Sequence, residues 1–362
     1  MNRLFRWDQM GLFLLALAAG ILPFAVPEVC AAALREGLTL CSGSLLLSLF
    51  PFLVVSRLLI QCPESDLLAL PFRLAAWGIG IRTPCAARVL CIGFLGGFAP
   101  AASAAAQAVR TGQLTAEEAD ALLPACICSG PSFVVLTVGQ SLLGSAELGV
   151  LLFASQITAN YLTAALLNRF AGVRSVKPGS AAPASPAPPR LDEILADAAI
   201  TYCKLCGFIL FFRMLAAGAG ALLPAGAGTL CAVLLEVCSG CDLASRTGRW
   251  GSLLCCAALS VQGLSVLMQV RTICPPEMTL RPLYRARLLH LPLSLLIFYL
   301  LLPQRAQETF SSLCGRVTTM RRLPPDCALM VFLGCCFVVC ELSRVLAKEP
   351  NQTQRDKVAN QS

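Results

Sequence analysis

Residues 93–135 read GFLGGFAPAASAAAQAVRTGQLTAEEADALLPACICSGPSFVV, and the interruptions in this segment are the strongest indication of the fold. It contains most of two apolar segments, 89–109 and 121–143, that are interrupted by Gly, Pro and Ser. A bilayer tolerates an interrupted helix only where the freed backbone groups are buried in protein or line a cavity. We therefore expect two broken or re-entrant membrane helices here, a pair of the kind in which transporters place their binding sites.

The segment TAEEADALL, which begins at Thr115, starts a helix between these two segments. The Thr115 side chain can accept a hydrogen bond from the amide of Glu118, while the Glu118 carboxylate reaches back to the amide of Thr115. This reciprocal pair is a capping box. We expect a water-exposed helix start at this point.

Further apolar runs of membrane-spanning length lie on both sides. They are 10–26, 39–60, 146–168, 200–223, 286–302 and 327–346. Interrupted apolar segments recur at 67–81, 227–240 and 250–270. The sequence therefore predicts an all-α, polytopic membrane helical bundle of about eight to ten spans, including broken or re-entrant helices.

Composition agrees with a protein whose main solvent is lipid. Hydrophobic residues make up 57% of the 362 residues and charged residues only 13%, about half the share in a soluble domain. The formal net charge of +8 is spread thinly over loops and helix ends, which is typical of orientation signals and headgroup contacts. We expect the lipid bilayer to be a partner and nucleic acid not to be one.

Most of the 20 cysteines lie inside apolar runs, where Cys behaves as a small hydrophobic residue. Two Cys-x-x-Cys pairs, Cys203/Cys206 and Cys238/Cys241, have zinc-ligand chemistry, but the gap between the pairs exceeds the usual spacing. We expect no metal site. A membrane enzyme that uses cysteine is an alternative, and it predicts sensitivity to thiol reagents at Cys128 or at the first pair.

The Pro/Ala/Ser-rich stretch 171–190 predicts a flexible linker between two membrane halves. Directly after it, LDEILADAAITY begins a helix that we expect to lie at the membrane interface before the next span. The predicted organisation has six parts: an N-terminal helix and loop (1–37), a first half (38–170), the linker (171–190), a second half (191–272), C-terminal membrane helices (273–346) and a polar tail (347–362).

The two halves repeat one pattern, which predicts a two-fold internal repeat. Residues 52–59 (FLVVSRLL) align with 208–215 (FILFFRML), and each stretch has an aromatic residue five positions before an Arg. Two Gly-interrupted segments follow in each half. They lie at 96–103 and 128–132 in the first half, and at 236–240 and 261–265 in the second.

Arg57 and Arg213 occupy corresponding positions in this repeat. A charge at mid-membrane costs roughly 2.5–3.5 kcal/mol unless it reaches the interface or finds a partner. If both face the interior, they form a cationic pair suited to a carboxylate. If they lie at headgroup level, they only snorkel.

Glu236 is the most isolated acid of the chain, with LCAVLL before it and VCSG after it. A buried carboxylate must be uncharged, as proton coupling requires, or paired with a cation such as Arg213. The alternative is a carboxylate that caps a helix end in water or at the interface.

Small residues at the breaks expose backbone groups that a substrate anion could satisfy, with Ser hydroxyls and Gln amides beside it. Close packing of helices through small residues is the competing interpretation. The candidate substrate-binding residues are Arg57, Gly96, Gly97, Phe98, Ser103, Gln107, Ser129, Gly130, Ser132, Arg213, Glu236, Ser239, Gly240, Gln262, Gly263, Ser265 and Gln269.

Motifs of enzymes are not found in the sequence, which has one histidine and no metalloprotease, serine-hydrolase or nucleotide-binding fingerprint. We interpret His290 as a packing or interfacial residue rather than a general base. We expect no enzymatic activity and no cofactor.

The chain resembles the sporulation integral membrane protein family YlbJ (SpoVV), whose members carry a nucleoside-recognition Gate domain. The resemblance covers most of residues 38–270 and rests on SLFPFLVVSRLL (48–59), the stretch 93–135 quoted above, ILADAAITYCKLCGFILFFRML (194–215), LLEVCSG (234–240) and LSVQGLSVLMQV (259–270). The chain departs from the family pattern at Ser103, where the family has Lys, and at Leu267, where it has His.

This resemblance implies a carrier with two Gate-like halves that exports dipicolinic acid, a small aromatic dicarboxylate, across the outer forespore membrane. It implies a multi-pass protein of a bacterial cell membrane, with a second copy of the chain or other sporulation membrane proteins as protein partners. A nucleoside-type carrier is one alternative. A non-transporting membrane scaffold for envelope or spore assembly is the other, and there small-residue packing alone would explain the breaks.

Overall fold

The computed structural model describes residues 2–171 and 191–302, and every regular element in these ranges is a helix. The helices are α1 (Asn2–Ala25), α2 (Pro27–Ser42), α3 (Ser44–Gln61), α4 (Leu70–Gly78), α5 (Pro84–Gly96), α6 (Phe98–Arg110), α7 (Ala116–Cys126), α8 (Ala146–Ala171), α9 (Leu191–Leu222), α10 (Ala225–Leu235), α11 (Val237–Ser245), α12 (Gly251–Val261), α13 (Gly263–Ile273) and α14 (Arg281–Leu301), with a π-helix at Ser132–Leu142 and short 3₁₀ turns at Pro63–Asp66 and Gly248–Trp250. The predicted all-α helical membrane bundle is confirmed.

Four segments of the described residues are long and apolar enough to cross a membrane. They are Ala146–Ala171, Leu191–Leu222, Gly248–Ile273 and Arg281–Leu301. A fifth candidate is a bent pair, in which Leu15–Ala25 and Pro27–Ser42 meet at 109°. The predicted total of eight to ten spans also counts shorter broken helices and the segment 327–346, which lies outside the described residues, as do the tail 347–362 and all of the linker except Ala171.

Two predicted boundaries are wrong in the structure. The run 39–60 is not one span, because α2 ends at Ser42 and α3 begins at Ser44, with Gly43 between them. The segment that begins at Leu191 is not a separate interfacial helix, since α9 continues without a break for 32 residues. Good helix formers fill its early turns, and nothing in its sequence ends it there.

Four of the five segments predicted to be interrupted are broken as predicted, whereas 67–81 contains one short helix, α4, which ends at Gly78. The α5/α6 break lies at Gly97 and the α10/α11 break at Glu236. The α12/α13 break lies at Gln262, which has a positive φ of 63°. The break between α7 and the π-helix covers residues 127–131 and includes a proline, which cannot donate a backbone hydrogen bond.

The capping box before α7 is also confirmed. The amide of Glu118 donates to Thr115 Oγ1 at 3.1 Å, and the amide of Thr115 donates to Glu118 Oε2 at 3.1 Å. Thr83 Oγ1 adds a third hydrogen bond to the Glu118 carboxylate at 2.6 Å. The start of α7 is therefore tied to the start of α5.

Helix contacts between the two halves have counterparts in which the corresponding helices of the halves are interchanged. In chain order, α3, α5/α6, α7 with the π-helix, and α8 correspond to α9, α10/α11, α12/α13 and α14. The contact of α6 with α13 has its counterpart in the contact of the π-helix with α11. Likewise, α7 packs on α14 as α12 packs on α8, and α8 packs directly against α14. The breaks of both halves therefore meet at one centre.

Candidate functional site

In the first half, the backbone of the α5/α6 break lies directly against the backbone of the break that follows α7. A Cβ atom placed on Gly97 would lie 2.6 Å from the amide nitrogen of Gly130 and 2.9 Å from its Cα. Gly97 has φ 81° and ψ −163°, a conformation that is essentially restricted to glycine. Gly97 is therefore required both by its own backbone and by the neighbouring break.

The second half repeats this close approach. A Cβ atom on Gly263 would lie 2.9 Å from the carbonyl oxygen of Leu235 and 3.0 Å from the amide nitrogen of Glu236. Gly240 packs in the same way against Val233 of α10, since a Cβ atom on Gly240 would lie 2.8 Å from the Val233 Cα. Small residues here serve close backbone packing, as the competing interpretation of the sequence held.

The two halves are joined at the carbonyl group of Ile127, which follows the last residue of α7. This oxygen accepts hydrogen bonds from Asn160 Nδ2 at 3.2 Å, Gln262 Nε2 at 3.3 Å and an Arg287 Nη at 2.7 Å. The donors come from α8, from the break of the second half and from α14. A carbonyl freed by a helix break inside a membrane needs such partners.

A central cavity of about 70 Å³ lies where these breaks meet. The first residues of α6, of the π-helix and of α11 line it, so three helix N-termini point toward one space. The N-cap residues of α6 and the π-helix are Gly97 and Pro131, and within the described residues neither helix has a capping hydrogen bond from the side chain of its N-cap residue. Helix N-termini carry partial positive charge and free amides, and the cavity is therefore suited to an anionic or hydrogen-bond-accepting group.

Glu236 also lines the central cavity, and it caps α11. Its carboxylate accepts hydrogen bonds from the amides of Cys238 at 2.8 Å and Ser239 at 2.7 Å, and from Ser239 Oγ at 2.9 Å. Glu236 is only 2% exposed. The structure therefore places a helix cap, one of the expected alternatives, inside the protein rather than in water.

Arg213 forms its ion pair elsewhere. An Arg213 Nη lies 2.8 Å from Glu36 Oε2 of α2, and Arg213 lines neither the central cavity nor the cleft described below. Arg57 and Arg213 therefore do not face one common substrate site in this conformation. Arg213 also forms no ion pair with Glu236, since its acidic partner in the described residues is Glu36.

Aromatic and amide side chains complete the wall of the central cavity. Phe52, Phe98 and Phe133 line it from α3, α6 and the π-helix. Gln269 of α13 is 1% exposed and donates through Nε2 to Ser265 Oγ at 2.9 Å, while its Oε1 atom has no hydrogen-bond partner among the described residues. A buried acceptor without a partner is costly, and a bound molecule could supply the missing donor.

A second space, a polar cleft of about 150 Å³, adjoins the central cavity, since Leu205 and Gln269 line both. Arg57 lies in this cleft at 9% exposure. One Nη of Arg57 lies 2.7 Å from Asp197 Oδ2, its other Nη donates to Thr201 Oγ1 at 3.0 Å, and its Nε donates to Ser103 Oγ at 3.2 Å.

Most of the predicted site residues are gathered at these two spaces. Those lining the central cavity are Gly96, Phe98, Ser129, Gly130, Ser132, Glu236 and Gln269. Those in the cleft are Arg57, Ser103 and again Gln269. Those that shape the surrounding breaks are Gly97, Ser239, Gly240, Gln262, Gly263 and Ser265. Arg213 and Gln107 belong to none of these groups.

Arg287 of α14 was not among the predicted residues. It is 8% exposed and has no acidic partner within the described residues. Its guanidinium donates to the carbonyls of Ile127, at 2.7 Å, and of Ser260, at 3.4 Å, which lie at the C-terminal ends of α7 and α12. A cation at two helix C-termini is favourable. The sequence feature that could have identified Arg287 as a functional residue is its position inside the apolar run 286–302, where a charge is rare.

His290 lies one turn further along α14 and faces the same polar centre. Its Nε2 atom is 3.2 Å from the carbonyl oxygen of Gln156, and it is buried among α8 and α12. No group of three or more metal-ligating side chains occurs within the described residues. Comparisons of the chain with protein-family models, with curated proteins and with solved structures found no match.

Proposed function

We propose that this protein is a multi-pass membrane carrier for a small anionic aromatic solute. The observation that carries the proposal is the convergence of three half-helix N-termini on a cavity walled by Phe52, Phe98 and Phe133. The uncapped N-termini of α6 and the π-helix would bind a carboxylate. The three phenylalanines would hold an aromatic ring by edge and face contacts.

Dipicolinic acid is the first solute to test, because the resemblance to the YlbJ family implies it and because it combines a ring with carboxylates. On this proposal the protein acts in the outer forespore membrane of a sporulating cell. A direct measurement of transport decides between this solute and the alternatives.

The central cavity is small in this conformation. Its volume of about 70 Å³ is well below the roughly 300–1,000 Å³ of sites that enclose a drug-sized ligand. The solute would enter only after elements around the breaks move apart. Rocking of two repeated halves about a central site is the usual form of alternating access.

The test is uptake into phosphatidylcholine liposomes that contain the purified chain, with dipicolinate, uridine and succinate compared. We expect dipicolinate flux, and at least about 100-fold less of it in the double variant Ser129→Ala, Ser132→Ala, because hydrogen bonds to a charged group are worth about 1.5–3 kcal/mol each. Ser141→Ala, at the exposed end of the same π-helix, is the matched control.

A nucleoside-type carrier is the second candidate, and a specific observation favours it. The Glu236 carboxylate and the Gln269 Oε1 atom, which has no partner among the described residues, are both acceptors. They suit an uncharged solute that offers N–H and O–H donors. In the same assay, uridine flux that Glu236→Gln abolishes, without dipicolinate flux, would select this candidate. Folded protein that transports none of the three solutes would favour the scaffold alternative.

A further inference from the structure

The polar cleft beside the central cavity carries an excess of positive charge. Its walls contain Arg57, Arg110 and Lys204, against one acid, Asp197. Arg110 and Lys204 are exposed and have no ion-pair partner within the part of the chain that the structure describes. A cleft lined by one sign of charge raises the local concentration of the opposite ion.

The cleft lies directly beside the central cavity. Leu205 of α9 and Gln269 of α13 form part of both walls, so these two side chains separate the spaces. Gln269 is the buried side chain whose Oε1 has no partner among the described residues. A solute that left the cleft past Leu205 would reach the half-helix N-termini next.

Arg57 is held so that an anion could replace its present partner. Its contacts with Ser103 and Thr201 are to hydroxyl groups, and its only acidic partner in the described residues is Asp197. The Asp197 side chain is 65% exposed, so solvent weakens this ion pair. A solute carboxylate could take the place of Asp197 while Arg57 keeps its two hydroxyl contacts.

We infer that the cleft is an outer binding site for an oxyanion-bearing solute, in which Arg110 and Lys204 attract the anion and Arg57 exchanges Asp197 for it before the solute passes Leu205 and Gln269. The identity of the solute rests on the proposed function. The attraction of anions by the cleft does not.

The first measurement therefore uses charged thiol reagents and no solute. Ile200, an exposed residue of the cleft wall, is changed to Cys in a Cys203→Ser background, because Cys203 is the exposed native cysteine next to it. The rates with an anionic and a cationic methanethiosulfonate are compared in phosphatidylcholine nanodiscs, and mass spectrometry identifies the modified residue. Ser141→Cys, outside the cleft, supplies the reference ratio.

We expect the anionic reagent to be favoured at Ile200→Cys by at least about tenfold over the reference ratio. The double change Arg110→Gln, Lys204→Gln should remove most of this preference, and Asp197→Asn should increase it. Arg246→Gln, which alters a surface ion pair with Asp242, should leave it unchanged. A ratio equal to the reference, or one that the double change does not lower, would overturn the inference.

The second measurement asks which anion the cleft binds. Dipicolinate should slow the modification of Ile200→Cys, more strongly in Asp197→Asn than in the parent. Preference for the anionic reagent without protection by dipicolinate would leave the cleft as an anion site and reject dipicolinate as the proposed solute. Protection by added phosphatidylglycerol that excludes dipicolinate would assign the cleft to lipid headgroups and overturn the solute site.

Discussion

Replacing Gly97 by Ala tests the contact between the two helix breaks of the first half. The backbone at φ 81° and ψ −163° costs a non-glycine residue about 1–3 kcal/mol. The added methyl group would also lie 2.6 Å from the Gly130 amide nitrogen, and overpacking of this kind costs about 1–3 kcal/mol because a backbone cannot rotate away. We expect a loss of about 2–6 kcal/mol in the free energy of unfolding.

The assay is unfolding by SDS in mixed micelles, followed by the loss of helical circular dichroism. Gly112→Ala is the matched control, because Gly112 has a positive φ of 69° but open space around it. A single left-handed residue costs about 1–2 kcal/mol, so Gly112→Ala isolates the backbone cost from the clash. Equal losses in the two variants would refute the close approach of the breaks at Gly97 and Gly130.

Three further changes test the polar contacts that join the elements. Arg287→Gln should lower the free energy of unfolding by about 1–3 kcal/mol because two helix-end carbonyls lose a charged donor, whereas Arg285→Gln, exposed on the same helix, should have little effect. Glu118→Ala should cost about 1–2 kcal/mol through the capping box, and Glu117→Ala much less. Asp120→Asn should loosen the loop before α14, since its carboxylate accepts the amides of residues 279 and 280, and faster amide exchange there would show it.

Each of these expectations has an outcome that contradicts it. Equal stabilities of the two arginine variants would mean that water or lipid replaces the Arg287 guanidinium. A Glu118→Ala variant as stable as Glu117→Ala would show that the capping box contributes nothing measurable. Unchanged amide exchange in Asp120→Asn would mean that other contacts hold the loop.

The sequence was a good guide to where the helices break. Gly97 and the stretch 127–131 contain residues that end membrane helices for local reasons, namely a glycine-only conformation and a proline. Glu236 and Gln262 follow apolar runs of near-constant composition, and a single polar residue marks each break. Local composition therefore located the centre of the bundle.

The partners of the arginines could not be predicted from local sequence in the same way. Arg213 lies 177 residues from its partner Glu36, and Arg57 bonds Thr201 at a separation of 144 residues. Many partners were equally compatible with the pattern of the sequence, and only the packing of α2 and α3 on α9 selects among them. Arg287 was missed because its partners are backbone carbonyls, which carry no signature in the sequence.

The shared carbonyl of Ile127 has a consequence for the synthesis of the protein. The first half enters the membrane before Gln262 and Arg287, which lie 135 and 160 residues further along the chain, have been made. During that interval Asn160 alone among the three donors can serve the carbonyl. A nascent chain that stops after α8 therefore lacks two of the three donors that this carbonyl has in the complete bundle.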